Sequence, residues 1–459
     1  MSKPEEYDVV VLGSGAAGKL LAWTLASQGR RTAVVERQYV GGSCPNIACL
    51  PSKNVIHGAK VASYFHRGAE FGITAGDWKV DMAAVRDRKR RMVDGLVEMH
   101  LAKYRKSGAE LVMGSGRFVA PRTIEVALND GGTRTLRGRN VVINTGSRAR
   151  LDDTPGLAES GPLTHVEALE LDRLPEHLIV LGGGYVGLEL AQAFRRFGSR
   201  VTVVERNAAL IHREDADVTE AVEELLRDEG IEIRTGTTVD RVEGKSGESV
   251  RLHTAGGPIE GTDLLVAGGR TPNTDGIGLE PVGVEVDGRG HVKVDERLKT
   301  TAEGVWAAGD CAGSPYFTHI GEDDFRVLLA NLTGGDRVTT GRQVPYCLFT
   351  DPELARVGLS EREAKERGLS YRLAKLPMQG VLRARTLSGT RGFYKALVEA
   401  EGEHILGFTA FGPEAGEVMA VVQVAMLAGL PYTALRDAVL THPTMAEGLA
   451  GLFGSVPNG

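Results

Sequence analysis

The chain has 459 residues, of which 42% are hydrophobic and 60 are glycine. Because single hydrophobic cores stop growing at roughly 250 to 300 residues, we expect about three domains. The 54 basic and 60 acidic residues give a net charge of −6, which excludes a strongly basic surface for nucleic acid or an anionic membrane. A small-molecule partner is therefore expected, with no nucleic acid and no membrane.

The sequence predicts a soluble, cytoplasmic protein. Its first residues pass directly into the apolar run at positions 9–12, which leaves no room for a cleavable signal peptide. The most apolar later segment, residues 418–430, contains Gln423 and is shorter than the ~20 residues that span a bilayer. A reducing compartment would also suit a labile dithiol.

A strand, a glycine turn, a helix and a second strand are predicted between residues 8 and 36. The glycines permit a tight turn, approach of the backbone to a pyrophosphate, and close packing of helix on strand. They are Gly13, Gly15 and Gly18. Glu36 ends the second strand, where a carboxylate can accept a ribose hydroxyl. The segment therefore predicts a dinucleotide site.

Two of the four cysteines lie in the run GGSCPNIACLPSK, from Gly41 to Lys53. In a regular helix, positions five apart are rotated by about 140° net and separated by about 7.5 Å, so their Cβ atoms diverge. A disulfide needs Cα atoms within roughly 7 Å. If Cys44 and Cys49 bond, the segment must form an irregular turn, which Pro45 suits, and a helix is expected to follow.

The chemistry expected of this cysteine pair is redox chemistry. Thiols at a helix N-terminus feel the positive end of the helix dipole and titrate below a free cysteine, so a thiolate is expected near neutral pH. Half of a zinc site is the alternative. However, Cys311 and Cys347 are isolated and no histidine-rich tract lies nearby, so the redox interpretation is favoured.

A second dinucleotide fingerprint is predicted at residues 177–205. Its glycines are Gly182, Gly184 and Gly187, and Glu205 ends its second strand. Two fingerprints imply two bound dinucleotides. The second fingerprint lies inside the chain, after an apolar strand that ends near Gly146.

A return to the first domain is predicted at residues 264–269. This segment is an apolar strand followed by a glycine turn that contains Gly269. A short buried strand is predicted next, and Asp310 follows its carboxyl end, where open α/β sheets bind ligands. The alternative for such an Asp is a turn or helix cap. The first domain is therefore predicted to be discontinuous.

The last part of the chain changes pattern from about residue 345. Alternating strands are followed by helices, one of which is predicted at residues 415–428. Earlier, the charged run at residues 86–91 lies in a predicted helix with Met92, Leu96 and Met99 on its apolar side. Its charges are therefore expected to form a solvated face.

The run GGSCPNIACLPSK resembles the redox-active segment of the class I pyridine nucleotide-disulfide oxidoreductases, which include lipoamide dehydrogenase, glutathione reductase and mercuric reductase. The resemblance extends over nearly the whole chain, through both fingerprints and the C-terminal motif THPTMAE. This sequence differs from the family's usual pattern at four positions: Ser43, Pro45, Ala48 and Asn144.

The resemblance implies an α/β fold with two Rossmann-like dinucleotide-binding domains and a C-terminal α+β dimerisation domain. It assigns residues 1–155 and 273–344 to FAD binding, 156–272 to NAD(P) binding, and 345–459 to the dimer interface. Beyond the two fingerprints, the cofactor-binding residues that it implies are Gly42, Ser43, Lys53, Gly146, Gly269 and Asp310, of which Asp310 would bind the ribityl chain of FAD.

The family also implies an electron relay from nicotinamide through FAD and the Cys44–Cys49 disulfide to a small disulfide substrate. Cys49 would lie against the flavin and Cys44 would face the substrate. His442 would protonate the leaving thiolate, and Glu447 would orient its imidazole. In this family the His-Pro-Thr segment reaches into the partner's redox pocket, so a homodimer with shared active sites is expected.

Three further residues have counterparts around the flavin in the family. Lys53 and Glu189 resemble an ion pair beside the flavin, and Tyr185 resembles the aromatic lid over the nicotinamide pocket. Two neighbouring residues give conflicting predictions of the nicotinamide cofactor. Glu205 favours NADH, whereas Arg206 could pair with the 2′-phosphate of NADPH. We favour NADPH slightly.

Two other functions are compatible with these motifs. Residues 210–215 and 390–393 are similar to mercuric reductase, which makes a metal-ion reductase the nearest alternative. The sequence starts at the first fingerprint without an extra metal-binding domain, lacks a terminal cysteine pair and has the full His-Pro-Thr motif, so disulfide reduction is favoured over metal-ion reduction. No metal-ligating residues are expected. A flavoprotein redox sensor without steady turnover is the third possibility.

Overall fold

A computed structural model describes residues 3–74 and 76–458. The first part of the chain forms an α/β unit around a mainly parallel sheet. Its elements are β1 (Glu5–Leu12), α1 (Ala16–Ser27), β2 (Thr32–Glu36), α2 (Ser43–Asn46), α3 (Cys49–His66), α4 (Met82–Ser107), β3 (Glu110–Ala120), β4 (Thr123–Leu128), β5 (Thr133–Ile143) and β6 (Ser147–Ala149).

The middle part of the chain repeats the strand–helix–strand pattern and adds an antiparallel sheet. Its elements are α5 (His165–Ala168), β7 (His177–Leu181), α6 (Tyr185–Phe197), β8 (Arg200–Val204), α7 (Ala216–Asp228), β9 (Glu232–Arg234), β10 (Val239–Lys245), β11 (Ser249–Thr254), β12 (Ile259–Gly261), β13 (Asp263–Val266) and β14 (Arg270–Pro272).

The last part of the chain returns to the first sheet and then builds a five-stranded antiparallel sheet. Its elements are β15 (Val305–Ala307), α8 (Thr318–Leu332), β16 (Tyr346–Leu348), β17 (Glu353–Gly358), α9 (Glu361–Glu366), β18 (Tyr371–Pro377), α10 (Leu382–Thr386), β19 (Phe393–Glu399), β20 (Ile405–Gly412), α11 (Ala415–Leu427), α12 (Tyr432–Arg436) and α13 (Gly448–Gly454).

In the first sheet, β1 lies between β2 and β5, and all three are parallel. The late strand β15 pairs with β5, so a segment after residue 300 completes a sheet begun at residue 5. Leu12 pairs with both Val35 and Ile143, and Ile143 pairs with Ala307. The carboxyl ends of four parallel strands therefore meet at one edge, where this class of sheet binds ligands.

The second parallel sheet has the order β13-β7-β8-β9. Leu181 pairs with Val204 and with Val266, so this sheet also ends at one aligned edge. The five-stranded antiparallel sheet of the last part of the chain, called the interface sheet below, has the order β16-β17-β20-β19-β18 and packs against α11 and α13. Along α11, Val418, Val422 and Ala425 are buried at the predicted helical spacing.

Two expectations for α4 are wrong. Lys89, expected in a solvated face, is 2% exposed and pairs with Glu170, because a lysine can bury its methylene stem while its ammonium reaches a carboxylate. Met99, expected on the apolar side, is 44% exposed. His100 and Tyr104 are buried instead, against Trp23 of α1.

Candidate active site

The first fingerprint folds tightly against the end of β5. Gly13 has φ +100°, and a Cβ added there would lie 2.3 Å from the Asn144 carbonyl oxygen. A Cβ on Gly15 would lie 2.6 Å from the Asn144 side-chain oxygen. Asn144 accepts from the Gly18 amide (2.9 Å) and donates to the Ala308 carbonyl (2.8 Å). Asn144, which departs from the family pattern, thus links the first fingerprint to the residue that follows β15.

The start of α1 can receive an anion. Gly15 is its N-cap, no side chain caps it, and its first turn contains no acidic residue. Uncapped amide groups and the positive end of the helix dipole together attract phosphate. Gly42, with φ +82°, packs so closely that an added Cβ would lie 2.7 Å from the Gly15 Cα. The residues at this helix end therefore fit the pyrophosphate of FAD.

Glu36 lies at the aligned edge but is held by the protein. One carboxylate oxygen accepts from the Ser14 amide (3.0 Å) and hydroxyl (2.7 Å). The other accepts from the amides of Gln38 (2.8 Å) and Tyr39 (3.0 Å). Each carboxylate oxygen accepts two hydrogen bonds, one for each of its lone pairs. One oxygen is therefore held toward Ser14, and the other is held toward the amides of Gln38 and Tyr39.

Asp310 follows β15, as predicted, and begins a short three-residue turn. The Ser147 hydroxyl donates to its carboxylate, and Arg270 lies 3.9 Å away. Burial raises the pKa of Asp310. Gly146, with φ +70°, has open space where a Cβ would project, and Gly269 has φ +135°. Two predicted turn glycines thus lie on the segments that lead to and from the second sheet.

The second fingerprint repeats the geometry of the first. Gly182 has φ +119°, and an added Cβ would lie 2.6 Å from the Ala267 carbonyl oxygen. At Gly187 the corresponding distance to the Gly182 carbonyl oxygen is 2.1 Å. Gly184 is the uncapped N-cap of α6 and has open space at its Cβ position. This helix end also fits a pyrophosphate.

The two candidate specificity residues after β8 face different surroundings. Glu205 is 7% exposed and accepts from the Gly183 amide at 2.7 Å and the Asn207 amide at 2.8 Å. Arg206 is exposed. The carboxylate is therefore directed toward the fingerprint turn, whereas the guanidinium side chain has access to solvent.

The redox turn has the expected irregular form. The short helix α2 contains Cys44, the backbone breaks at Ile47 and Ala48, and Cys49 begins α3. The two cysteines are free thiols and are partly buried. Ser43 opens the same short helix. The segment therefore brings both sulfur atoms to the N-terminal end of a long helix.

The two thiols have opposite pKa shifts. The interaction between the two side chains lowers the pKa of Cys49 and, together with burial, raises that of Cys44. The Thr318 hydroxyl lies 3.3 Å from the Cys49 sulfur and lowers its pKa further. The sequence predicts a low thiol pKa from the helix dipole. The side chains of Cys44 and Thr318 also lower the pKa of Cys49, which is therefore the thiol favoured as thiolate.

Lys53 and Glu189 form the predicted ion pair, with Nζ and Oε2 2.6 Å apart. Glu189 is buried on α6, and its second oxygen accepts from the Phe349 amide at 2.9 Å. The Lys53 ammonium also lies 4.6 Å from the centre of the Phe349 ring. The pair thus connects the helix after the redox turn to the helix after the second fingerprint.

Tyr185 belongs to a cluster between the second fingerprint and the interface sheet. Its hydroxyl donates to Glu214 at 3.1 Å, and its ring centre lies 5.5 Å from that of Tyr346. Tyr346 also donates to Glu214 and stacks on Phe317 at 5.9 Å. Arg356 lies 3.2 Å from the second Glu214 oxygen. An aromatic side chain between these two units can cover a planar ring, and the role of Tyr185 as a lid stays a prediction.

His442 and Glu447 form the second predicted pair, with Nδ1 and Oε2 2.8 Å apart. His442 is 65% exposed at its side chain, and Glu447 is 19% exposed. Within the described residues of one chain, no hydrogen bond joins His442 to Cys44 or Cys49. One chain therefore brings together the dithiol, Lys53 and Glu189, but it leaves the imidazole on its surface.

Several residues of the site were missed from the sequence. Thr318, Phe349 and Tyr346 are far from the redox turn along the chain and carry no motif. Glu214 lies in the segment that is similar to mercuric reductase, but it was not selected as a site residue. Only the sheet pairing of β15 with β5, which places α8 beside the first sheet, could have indicated Thr318.

Among the residues that the structure describes, the acidic groups outside the candidate site do not form an open metal site. In the described part of the chain, one cluster has metal-ligand spacing, formed by Asp215, Asp217 and Glu361. The Lys395 ammonium lies 2.8 Å from each aspartate and 3.1 Å from the glutamate, so it occupies the position between the carboxylates.

Among the described helices, none combines the length and apolar character needed to cross a membrane.

Comparisons with known proteins identify relatives over almost the full length of the chain. The family model described as pyridine nucleotide-disulphide oxidoreductase matches residues 7–324, and that of the family's dimerisation domain matches residues 344–452. The probable oxidoreductase RclA of Escherichia coli is 35% identical over 98% of this chain and 99% of its own length. Mercuric reductase of Streptomyces lividans is 37% identical over 96% of this chain and 94% of its own.

Solved structures agree with the sequence comparison. The flavoprotein disulfide reductase RclA of Escherichia coli has a TM-score of 0.90 at 35% identity and covers 98% of this chain and 100% of that chain. Both predicted dinucleotide-binding units and the predicted dimerisation domain correspond to this architecture. The chain therefore belongs to the pyridine nucleotide-disulfide oxidoreductases and is a flavoprotein enzyme of FAD-dependent NAD(P)H:disulfide oxidoreduction.

Proposed function

We propose that the chain uses NADPH to reduce a small disulfide, with Cys44 exchanging with the substrate and Cys49 receiving electrons from the cofactor. The observation that carries these roles is the asymmetry of the dithiol. The Cys49 sulfur lies 3.3 Å from the Thr318 hydroxyl and the pKa of Cys49 is lowered, whereas the pKa of Cys44 is raised. Two identical side chains thus have different protonation states, which a relay requires.

The exchange chemistry belongs to the protein. When bound, FAD supplies the two-electron transfer between nicotinamide and the Cys44–Cys49 disulfide. Cys44 as a thiolate attacks one substrate sulfur, the substrate S–S bond breaks, and the leaving thiolate takes a proton. Cys49 then attacks the Cys44 sulfur, which releases the second substrate thiolate and forms the Cys44–Cys49 disulfide.

The binding roles that we propose follow the two helix ends. FAD would be held by Gly13, Gly15, Gly18, Glu36, Gly42, Ser43, Lys53, Gly146 and Asp310. The nicotinamide cofactor would be held by Gly182, Gly184, Tyr185, Gly187, Glu205, Arg206 and Gly269. The uncapped starts of α1 and α6 support these assignments. We retain the proposed domain boundaries after residues 155, 272 and 344, and a cytoplasmic location.

The preference for NADPH rests on Arg206, the second residue after β8, which is exposed. Glu205 does not discriminate, because it accepts from the Gly183 and Asn207 amides as Glu36 accepts from the Ser14 and Gln38 amides. A free guanidinium can form paired hydrogen bonds with a 2′-phosphate. This arrangement supports NADPH over NADH.

We further propose a homodimer in which His442 of each chain completes the partner's site. Val424 and Leu427 on α11 are both 65% exposed, and Val439, three residues before His442 in the chain, is fully exposed. Exposed large apolar side chains are suited to association. The His442 imidazole, oriented by Glu447, would protonate the leaving thiolate.

The experiment that tests the function is consumption of NADPH by FAD-loaded protein in the presence of a panel of small disulfides, with Cys44→Ser as the matched control. Turnover that depends on one disulfide and is lost in Cys44→Ser supports the proposal. Equal NADPH consumption by both proteins would contradict it.

Reduction of a soft metal ion is the second candidate, because the relatives include mercuric reductases, and RclA has been solved as a Cu(II) complex. The partly buried, free Cys44 and Cys49 thiols are suitable ligands for such an ion as substrate. Metal-dependent NADPH consumption at a higher kcat/KM than with any disulfide would favour this function.

A further inference from the structure

Lys19 of α1 is a partly buried cation beneath the redox turn. Its ammonium donates to the Gly41 carbonyl oxygen at 3.0 Å and lies 2.9 Å from His100 Nε2. No carboxylate in the described residues approaches its nitrogen within ion-pairing distance. Buried charges are normally paired, so an ammonium bound by two neutral acceptors has electrostatic capacity left for an anion nearby.

The His100 ring is oriented to accept this ammonium. Its Nδ1 lies 2.6 Å from the Leu96 carbonyl oxygen, so Nδ1 carries the proton and Nε2 is the acceptor. Burial, followed by the Lys19 charge, lowers the pKa of His100, which keeps the ring neutral. Trp23 packs on the same ring, with centres 5.6 Å apart. The imidazole is therefore a fixed neutral support for Lys19.

Glycine at position 41 allows the redox turn to approach this support. Gly41 has φ +94°, and a Cβ added there would lie 3.1 to 3.2 Å from the His100 ring atoms. The carbonyl of Gly41 accepts from Lys19, and Cys44 follows three residues later. An ammonium has three donors, of which two are assigned to Gly41 and His100. The third donor is not used by either of these acceptors.

We propose that Lys19, held by His100 and Gly41, is the cation of this chain that stabilises the Cys44 thiolate during exchange with the disulfide substrate. The inference rests on the proposed role of Cys44. The Thr318 hydroxyl and, to a smaller extent, the Lys19 charge lower the pKa of Cys44, opposing the larger effects of Cys49 and of burial. When Cys44 gives its proton to the imidazole that then protonates the leaving thiolate, the cation favours the thiolate that forms on Cys44, the sulfur that must attack.

The other charged groups around Lys19 define the control. Lys103 on α4 and Glu322 on α8 face it, with opposite effects on its charge. Lys103 is exposed, and its ammonium lies 5.1 Å from the centre of the Trp23 ring. Lys103 and His100 both belong to α4, and both pack on Trp23. Lys103→Met removes an equal charge without removing a contact to the redox turn.

The test uses FAD-loaded, full-length protein with Cys49→Ser, so that Cys44 is the single thiol of the redox turn. The rate of alkylation by iodoacetamide is measured against pH, with the modified residue located by mass spectrometry. We expect Lys19→Met to raise the midpoint for Cys44 by about one pH unit, which slows alkylation at neutral pH about tenfold. Lys19→Arg should recover most of this loss.

Lys103→Met should change the alkylation rate less than about twofold, because an exposed charge is screened. Equal shifts in Lys19→Met and Lys103→Met would overturn the proposal, as would loss of FAD with an unchanged midpoint for Cys44. Failure of the proposed function is a separate result: it would appear as full disulfide turnover in Cys44→Ser protein that retains Lys19.

Discussion

The Thr318 hydroxyl lies 3.3 Å from the Cys49 sulfur, although 269 positions separate the two residues in the chain. Thr318 is the first residue of α8, and α8 packs beside α1. The hydrogen bond lowers the pKa of Cys49, in addition to the larger effect of Cys44. The return of the chain to the first sheet therefore affects the chemistry of the redox turn directly.

Removing this hydroxyl should raise the pKa of Cys49. We expect Thr318→Val to raise the midpoint of the long-wavelength charge-transfer band of reduced protein by about one pH unit, since a hydrogen bond to a charged group contributes about 1.5 kcal/mol. The band is present above the midpoint and is lost as the pH falls through it. Thr318→Ser keeps the hydroxyl and is the control, and an unchanged midpoint in Thr318→Val would contradict the assignment.

The ion pair beside Cys49 should act on the same band in two directions. The Lys53 charge lowers the pKa of Cys49 and the Glu189 charge raises it. Lys53→Met should therefore move the midpoint up, and Glu189→Gln should move it down, each by less than Thr318→Val. Absorbance titrations of the three variants give the comparison. Shifts of the same sign in both variants would mean that loss of the ion pair changes the local structure, and would contradict the electrostatic explanation.

The two cysteine replacements should fail differently. Cys44→Ser keeps Cys49 and should retain the charge-transfer band, but it should lose disulfide reduction. Cys49→Ser should lose the band, because Cys49 is the thiol proposed to receive electrons from the flavin. Spectra and NADPH-dependent disulfide turnover are measured on the same samples. Full turnover in either variant would exclude the relay.

Much of this site was predictable because its parts are local in the sequence. The glycines of both fingerprints, Glu36 and the order of strand, turn and helix lie within short segments, where backbone requirements select residue types. The ion pair of Lys53 with Glu189 was also found, but only by resemblance to a family. Spacing alone gives no reason for those two residues to meet.

What could not be predicted depends on packing between distant segments. Thr318 and Cys49 meet because β15 pairs with β5 in the first sheet. No periodic pattern in the sequence predicts that strand pairing. The error at Lys89 has a similar cause, since its burial depends on Glu170 in another segment. Local pattern identifies the elements, whereas the partners of a buried charge are set by tertiary contacts.

The nicotinamide preference can be measured with one substitution. Arg206→Ala should lower kcat/KM for NADPH by about 10- to 100-fold, because charge-assisted hydrogen bonds to a phosphate contribute about 1.5 to 3 kcal/mol, and it should leave NADH almost unaffected. Arg251→Ala on β11, where the side chain pairs with Glu260, removes an equal charge and is the control. An unchanged ratio of the two efficiencies would show that Arg206 does not select the cofactor.

The shared active site predicts complementation between two inactive proteins. Cys44→Ser lacks the exchanging thiol and His442→Ala lacks the proton donor, so each homodimer has two damaged sites. After subunit exchange, a heterodimer would contain one intact site, with Cys44 and His442 from different chains, and one site damaged twice. We expect about half of the wild-type activity per heterodimer.

The matched control is a mixture of Cys44→Ser and Cys49→Ser proteins. Both cysteines lie on the redox turn of one chain, so each site of that heterodimer lacks one of them and no activity should return. Exchange is verified with two distinguishable affinity tags. If the His442→Ala mixture also stays inactive after exchange, His442 acts within its own chain or has a structural role. The exposed position of His442, hydrogen-bonded only to Glu447 among the described residues, makes recovery the expected outcome.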